Sequence, residues 1–465
     1  MAYSVASRIP AKRDTRSPGG VQGLGRKRGE STFSACRALL GFILLGAPAA
    51  FGAVQPWFWV SLLVLTLLLL VLWVVASVER GFLRIVWSPL YWPAALYLAV
   101  ATVQFFGHLT ADAIGTRESL MKLVTDLILF FVGAQLWQGG SERLRNRFGL
   151  VAISYAFLMS MVAILQYFSS HNLIYWAVKS PGITFGPYVN RNHYAGLMEM
   201  LIPLGVTYAI TRPKNDPLRA LWGLAVLVPA ASVLLCASRG GMVSLLVEGV
   251  VLIAVLLRRT PFRVGGRLVS TVAAGMALAT LAFFWMDSSG ASERLAAVFQ
   301  IIYSPQAKLT FADRQTATLD CLRIARDHPW LGTGLGSFET VYPRYQSFAT
   351  DLAWNPAHND YAQAVAETGL GGGALIAWAI IAFLGLAFGN LKERLRAPGG
   401  DWIQLGAALG CCGILVHSFA DFNLRIPANA AWFAVLASVG ASRLPSEGSE
   451  ISGQIIGLES SAKGS

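Results

Sequence analysis

The stretch WFWVSLLVLTLLLLVLWVVAS, Trp57 to Ser77, decides what kind of protein this is. It carries no charged side chain and is apolar on every helical face. A helix rises about 1.5 Å per residue, so about 20 such residues cross the roughly 30 Å of bilayer hydrocarbon. A soluble helix needs one apolar stripe, whereas a helix apolar all round needs an apolar solvent. The rest of the chain agrees. Mean hydropathy is +0.54. Of the 465 residues, 55% are apolar and 13% charged, against roughly 25% charged in an average soluble domain.

Scanned with the same template, the sequence holds about twelve apolar runs: Ala38 to Val54, Trp57 to Ser77, Ile85 to Phe106, Leu120 to Trp137, Phe148 to Phe168, His193 to Ile210, Leu218 to Ala237, Met242 to Leu257, Leu268 to Trp285, Gly369 to Phe388, Trp402 to Phe419 and Ala428 to Ala441. The expected fold is an all-α polytopic membrane protein with about twelve transmembrane helices and one large, partly helical periplasmic loop. The divisions are a basic, disordered cytoplasmic tail at 1–37, nine transmembrane helices over 38–285, the loop at 286–368, three further helices over 369–441, and a second cytoplasmic tail at 442–465. The first apolar run begins too late for a secretory signal peptide, so the chain is expected to stay uncleaved.

The net charge of +12 would suit nucleic acid if it were clustered on a soluble face. It sits instead in the first tail and in alternate short loops, near Arg80 to Arg84, Glu142 to Arg147, Arg212 to Arg219, Arg258 to Arg267 and Lys392 to Asp401. Basic loops stay cytoplasmic. That register puts both termini in the cytoplasm and 286–368 outside, in a multi-pass membrane protein with membrane lipids and no nucleic acid as partners. The outer loop holds six basic residues against nine acidic, so its arginines are not topogenic. The spacing of Leu319, Leu322 and Ala325 predicts a helix over Phe311 to Arg326 lying near the membrane and carrying Arg314.

Four polar segments interrupt the apolar pattern on that outer side. In Gly182 to Gly196, Asn190 and Asn192 are natural helix caps, while Arg191 serves either as an anchor to lipid phosphate or as a ligand for substrate phosphate. Ser238-Arg239-Gly240-Gly241 is a turn so short that its arginine stays at the membrane surface. Glycines admit an anion close to the backbone, and a guanidinium fork fits two diphosphate oxygens, which favours phosphate binding. In His358-Asn359-Asp360 the imidazole suits removal of a proton from a sugar hydroxyl, with Asp360, Glu367 or another carboxylate orienting it. His417 and Asp421 stand i, i+4, and this spacing predicts a structural clasp between them more readily than catalysis. Asp126, Glu199 and Glu248 lie inside apolar runs, where ionisable groups are functional candidates. The five cysteines are too scattered for a disulfide framework. No phosphate-binding loop of the G-x-x-x-x-G-K-[ST] type occurs, and Gly332-Thr-Gly-Leu-Gly336 lacks a complete dinucleotide fingerprint. No cofactor and no metal site is expected.

In order and spacing, Gly182-x-Thr-Phe-x-x-x-x-Asn190-x-Asn192, Ser238-Arg239-Gly240, Arg314, Asp327-His-Pro-Trp-Leu-Gly-x-Gly-x-Gly-x-Phe338, Ala357-His-Asn-Asp360 and His417-Ser-x-x-Asp421 resemble the O-antigen ligase family. The resemblance covers Tyr155 to Ala441. It implies a membrane glycosyltransferase, expected to be metal-independent for want of ligand-like spacing, that takes a glycan from a polyprenyl diphosphate, undecaprenyl diphosphate in bacteria, as in lipopolysaccharide or exopolysaccharide biosynthesis. It further implies that Arg239 and Arg314 hold the diphosphate and that His358 activates the acceptor hydroxyl. Asn190, Asn192, Asp360, His417 and Asp421 would be supporting residues. Arg191 stands where many members carry proline and inherits no role, although its place suits the diphosphate. The acceptor is lipid A core in a ligase or another glycan in a polysaccharide polymerase, and the motifs serve both. A lipid-linked glycan transporter would instead show internal repeats and charge pairs at mid-membrane.

Overall fold

The computed structural model describes residues 19–137, 141–180, 182–213, 215–259, 311–348, 356–389, 391, 395, 402–442 and 455–457. Helices α1 (Gly19–Ala49), α2 (Pro56–Glu79), α3 (Tyr91–Phe106), α4 (Ala113–Trp137), α5 (Glu142–Ser169), α6 (Arg191–Ile210), α7 (Arg219–Leu235) and α8 (Arg239–Arg259) precede the loop helices α9 (Phe311–Asp327) and α10 (Phe338–Val341). They are followed by α11 (Asp360–Phe388), α12 (Trp402–His417) and α13 (Pro427–Gly440). Two short antiparallel ribbons complete the described chain. In one, β1 (Phe82–Arg84) pairs with β4 (Ile455–Gly457), holding the carboxyl-terminal segment beside the α2–α3 connection. The other joins β2 (Leu173–Ile174) and β3 (Val178–Lys179).

Eleven of the twelve expected runs fall on helices, and Leu268 to Trp285 lies outside the described residues. Six helices, α1, α2, α4, α5, α8 and α11, are long and apolar enough to cross a membrane, and α3, α7, α12 and α13 are shorter apolar helices. The remaining run, α6, is too polar to qualify and lies at the centre: every residue from His193 to Gly205 is buried. Neighbouring helices, and not lipid, surround its His193 and Glu199, which is how a bundle accommodates polar side chains. In contrast α2 displays Val60, Val64, Leu67, Leu68, Val71, Val74 and Val75 outward, as expected of a helix facing hydrocarbon.

Packing between α6 and α12 is backbone against backbone. A β-carbon at Gly410 would lie 2.5 Å from the Met200 carbonyl oxygen, and one at Gly406 would lie 2.9 Å from the Leu204 Cα. Small residues four apart let helices approach this closely where no hydrophobic force draws them together.

The structure corrects the sequence reading in one place and adds to it in another. Residues 19–37, assigned to a disordered tail, belong to α1, whose Thr32 hydroxyl donates to Glu79 at 2.6 Å while Arg80 stacks 3.7 Å over the Phe33 ring. Polar partners on α2 thus extend the helix beyond its apolar run. On α9 the buried stripe is Ala317, Asp320, Cys321 and Ile324, and Leu319 and Leu322 point outward. The packed side is the one that Phe338, Tyr342 and Ala366 cover, with Asp320 satisfied by Arg323 at 2.7 Å, the Tyr342 hydroxyl at 3.2 Å and the Ser347 amide at 3.1 Å.

The glycine-rich segment 332–336 is a packing device. Gly332, Gly334 and Gly336 all have positive φ, and β-carbons there would meet the Glu367 backbone, Thr110 and Ser119 respectively. The Thr333 and Gly334 amides donate to Ala366 and Glu367 carbonyls at 3.1 and 2.9 Å, and Gln104 of α3 donates to Leu331 and Glu367 carbonyls. The loop therefore pins the first turns of α11 against α3 and α4. Helix α11 kinks at Gly369 directly below.

Substituting Gly410 by leucine is expected to cost about 1–3 kcal/mol through overpacking of α6 against α12, read as a lower midpoint of thermal unfolding in detergent. Gly385→Ala, where nothing lies within 4 Å of the new carbon, should leave the midpoint unchanged or raise it. Equal midpoints for the two variants would refute the close approach.

Candidate active site at the rim of the bundle

The site forms where α6, α8, α11 and α13 begin and α12 ends. Ordinary capping builds its framework. Asn190 caps α6 by accepting the Asn192 amide at 2.9 Å, the Ser238 hydroxyl accepts the Gly241 amide at 3.3 Å at the start of α8, and Asn359 accepts the Ala362 amide at 3.0 Å at the start of α11. Asn429 of α13 ties three of these segments together. Its amide donates to the His193 carbonyl at 2.9 Å and to Asn423 at 3.2 Å, and its oxygen accepts the Tyr188 hydroxyl at 2.8 Å.

At the centre is Asp421, fully buried just beyond the end of α12. Its Oδ1 accepts the Phe422 amide at 2.9 Å and faces His358 Nδ1 at 3.2 Å; its Oδ2 accepts the Asn192 side-chain amide at 2.5 Å and lies 3.7 Å from Arg314 Nη1. Arg314 Nη1 also donates a hydrogen bond to the Ala420 carbonyl at 3.0 Å. Burial alone pushes the Asp421 carboxyl up. The hydrogen bond and charge of His358, with Arg314 and His193 behind it, outweigh that and hold it well below the usual carboxylate range.

With Asp421 as acceptor, His358 carries its proton on Nδ1 and presents the lone pair at Nε2. The ring is about one-tenth exposed and lies edge-on to Phe422, 5.0 Å between centroids. His358 adopts the left-handed conformation, φ +55°, which turns the chain into α11 and aims the imidazole back across the rim. A second imidazole, His193, packs edge-on to Phe422 at 4.5 Å, with its Nε2 3.9 Å from Asp421 Oδ1.

The arginines converge as well. Arg239 opens α8, and Arg191, in the first turn of α6, lies within electrostatic reach of both Arg239 and Arg314. Three guanidiniums around one rim suit a ligand bearing more than one negative charge, which their forked donors can grip bidentately.

One sequence expectation is overturned here, and one left open is decided for another carboxylate, Asp421. His417 and Asp421 do not clasp each other: Asp421 lies past the helix end, and His417 turns inward, where its Nδ1 meets both Glu199 carboxylate oxygens at 3.1 Å. Nor does Asp360 orient His358. Asp360 accepts the Ser418 hydroxyl at 3.0 Å and the Leu424 amide at 3.2 Å, and it sits 3.6 Å from Arg425 Nε. Glu367 is likewise engaged, by Arg425 at 3.0 Å and Gln363 at 2.9 Å. Asp126, on α4, lines a cavity of about 680 Å³ to which Asp360, Phe422 and Arg425 also contribute.

Sequence reasoning missed His193, Phe422 and Arg425 as members of the site. The signal was present in the polar runs Asn190-Arg-Asn-His193 and Asp421-Phe-Asn-Leu-Arg425, which cap two helices and face one another. Among the described residues no group of three histidine, cysteine or acidic side chains is arranged to hold a metal ion.

No curated protein matches the chain in sequence. The family model described as O-antigen ligase matches residues 195–377, a segment running from the second turn of α6 through α8, Arg314 of α9 and His358 into α11. By that match, the segment of this mostly helical, membrane-type chain that carries Arg239, Arg314 and His358 is similar to the O-antigen ligase family.

Proposed function

We propose that the protein transfers a glycan from a polyprenyl-diphosphate donor to an acceptor hydroxyl at the periplasmic face of the inner membrane, as an O-antigen ligase does, without a metal ion. The observation that carries this reading is the sharing of Asp421: one oxygen orients a candidate base, His358, and the other lies beside a candidate diphosphate ligand, Arg314. In glycosyl transfer the base and the leaving-group anchor must stand a sugar's width apart in fixed relation, and one buried carboxylate fixes both.

In this mechanism Arg239 and Arg314, with Arg191 between them, take the charge that develops on the diphosphate as the glycosidic bond breaks. His358 Nε2 removes the acceptor proton as the new bond forms, and Asp421 stabilises the resulting imidazolium. Asn190 and Asn192 set the α6 end, and Asn192 holds Asp421 in place. The apolar cavity beside Phe422 suits a lipid chain, either the isoprenoid of the donor or an acyl chain of lipid A.

Incubation of purified protein with polyprenyl-diphosphate glycan and lipid A core in EDTA should give a shifted lipid A band. A ladder formed from donor alone would make the enzyme a polymerase instead, and no product under either condition would overturn the glycosyltransferase reading. His358→Ala is expected to lower kcat by about 10²–10⁴-fold, and Arg239→Ala and Arg314→Ala to raise KM for the donor as well as lower kcat. Full activity in all three would refute the assignment.

Because Asp421 is held below the usual carboxylate range, the stability it contributes is present above the unfolded value near pH 4 and is lost only as pH falls through its depressed folded value. Wild-type activity between about pH 5 and 8 should therefore show no titration belonging to Asp421. Asp421→Asn should lose about 10²-fold or more in kcat at every pH in that window, by analogy with a triad carboxylate; an acid limb that disappears in this variant would contradict the placement.

A further inference from the structure

Below the rim, Glu199 of α6 and His417 of α12 form a second carboxylate–imidazole pair that the mechanism above leaves idle. Both are buried, with His417 2% and Glu199 0% exposed. Both hydrogen bonds of His417 run through Nδ1, to the two Glu199 oxygens at 3.1 Å. Its opposite edge abuts the first turn of α8: a β-carbon at Gly240 would lie 2.3 Å from His417 Nε2 and Cδ2. Glycine beside Arg239 is therefore what admits the ring. With a carboxylate on Nδ1, a protonated His417 offers Nε2–H toward the turn that opens with Arg239. The amides of the first helical turn also point out of that end, as does the positive end of the α8 dipole.

We propose that His417 is the proton donor for the leaving diphosphate. This rests on the reading that Arg239 holds that diphosphate, and it adds a general acid to the base already assigned. The bond between the sugar C1 and the phosphate oxygen breaks with its electron pair on that oxygen, which takes the proton from His417 Nε2. C1 bonds to the acceptor oxygen, whose proton goes to His358 Nε2. Glu199 stays a carboxylate throughout. After product release His358 loses its proton to solvent and His417 regains one, so the cycle closes with no net change in the protein. Two histidines on two carboxylates thereby serve opposite ends of one displacement. Asp421 orients the base, and Glu199 orients the acid.

The charged groups around His417 are Glu199 on α6, Asp421 on its own turn, Arg314 from α9 and His193 from α6, with Glu248 of α8 facing Glu199. His417 must carry its proton to act, so kcat should fall on the alkaline side. The test is the pH profile of kcat and donor KM for the wild type, His417→Gln and Arg239→Ala, using polyprenyl-diphosphate glycan and lipid A core. His417→Gln is expected to lose about 10²-fold in kcat, to keep donor KM within about threefold, and to lose the alkaline limb because an amide does not titrate. Since Glu199 without a partner is costly to bury, Glu199→Gln/His417→Gln serves as the neutral pair. With an unfolding midpoint like that of the wild type, it should show the same loss and the same flattened profile.

A folded variant with the wild-type alkaline limb, whether active or slow, overturns the proposal and leaves His417 a packing residue. If His417→Gln behaves so while Arg239→Ala abolishes transfer, only this inference falls. If Arg239→Ala and Arg314→Ala both keep wild-type kcat and KM, the diphosphate reading beneath it falls first.

Discussion

Everything at the rim depends on one carboxylate kept charged out of water. Stripping solvent from a carboxylate costs several kcal/mol unless partners restore what water supplied. Around Asp421 those partners are the Phe422 amide, Asn192, His358 and Arg314, drawn from the turn after α12, the start of α6, the segment before α11, and α9. Four stretches distant in sequence are thus bound to one pair of oxygens. The electrostatic requirement does the assembling, and the geometry of the candidate site follows from it.

The rest of the bundle makes that burial possible. Close packing of α6 and α12 across Gly406 and Gly410 brings the ends of both helices to one level. Asn429 and Tyr188 lock α13 and the 182–189 segment onto the same platform. A second cluster, Asp360, Glu367 and Arg425, repeats the arrangement one helix away: buried acids held by an arginine, with burial opposing the Arg425 charge and Glu367 and Asp360 more than restoring it. This cluster fixes the start of α11, so that His358 leaves a rigid helix and not a loose loop.

Much of the architecture was legible because hydrophobic length is a nearly context-free signal. Runs such as Trp57 to Ser77 can only be what they are. Arg239, Arg314 and His358 stood out as candidates because charge in short polar segments of an apolar chain demands an explanation. Pairings were not. The i, i+4 spacing of His417 and Asp421 predicted a clasp only if the helix continued through both, and it stops at His417. Asp360 adjoins His358 in sequence, yet the left-handed turn at His358 separates them and leaves orientation to a residue 63 positions away. Leu319 and Leu322 marked the helix, and both lie on its exposed side. Partner choice is decided by tertiary contacts that spacing does not encode.

The break in α11 at Gly369 has a mechanical side. Above it, Asp360 to Thr368 is clamped by Gln104, the Gly334 amide and Ser418. Below it, Leu370 to Phe388 presents Leu370, Trp378 and Ile381 outward. A continuous rod would carry every tilt forced by bilayer thickness straight into Asn359 and His358. A joint between the two halves absorbs that tilt at one backbone position instead. The upper segment behaves as part of the rigid platform and the lower as a float in the lipid, so the chemistry is insulated from the elasticity of the membrane in which it sits.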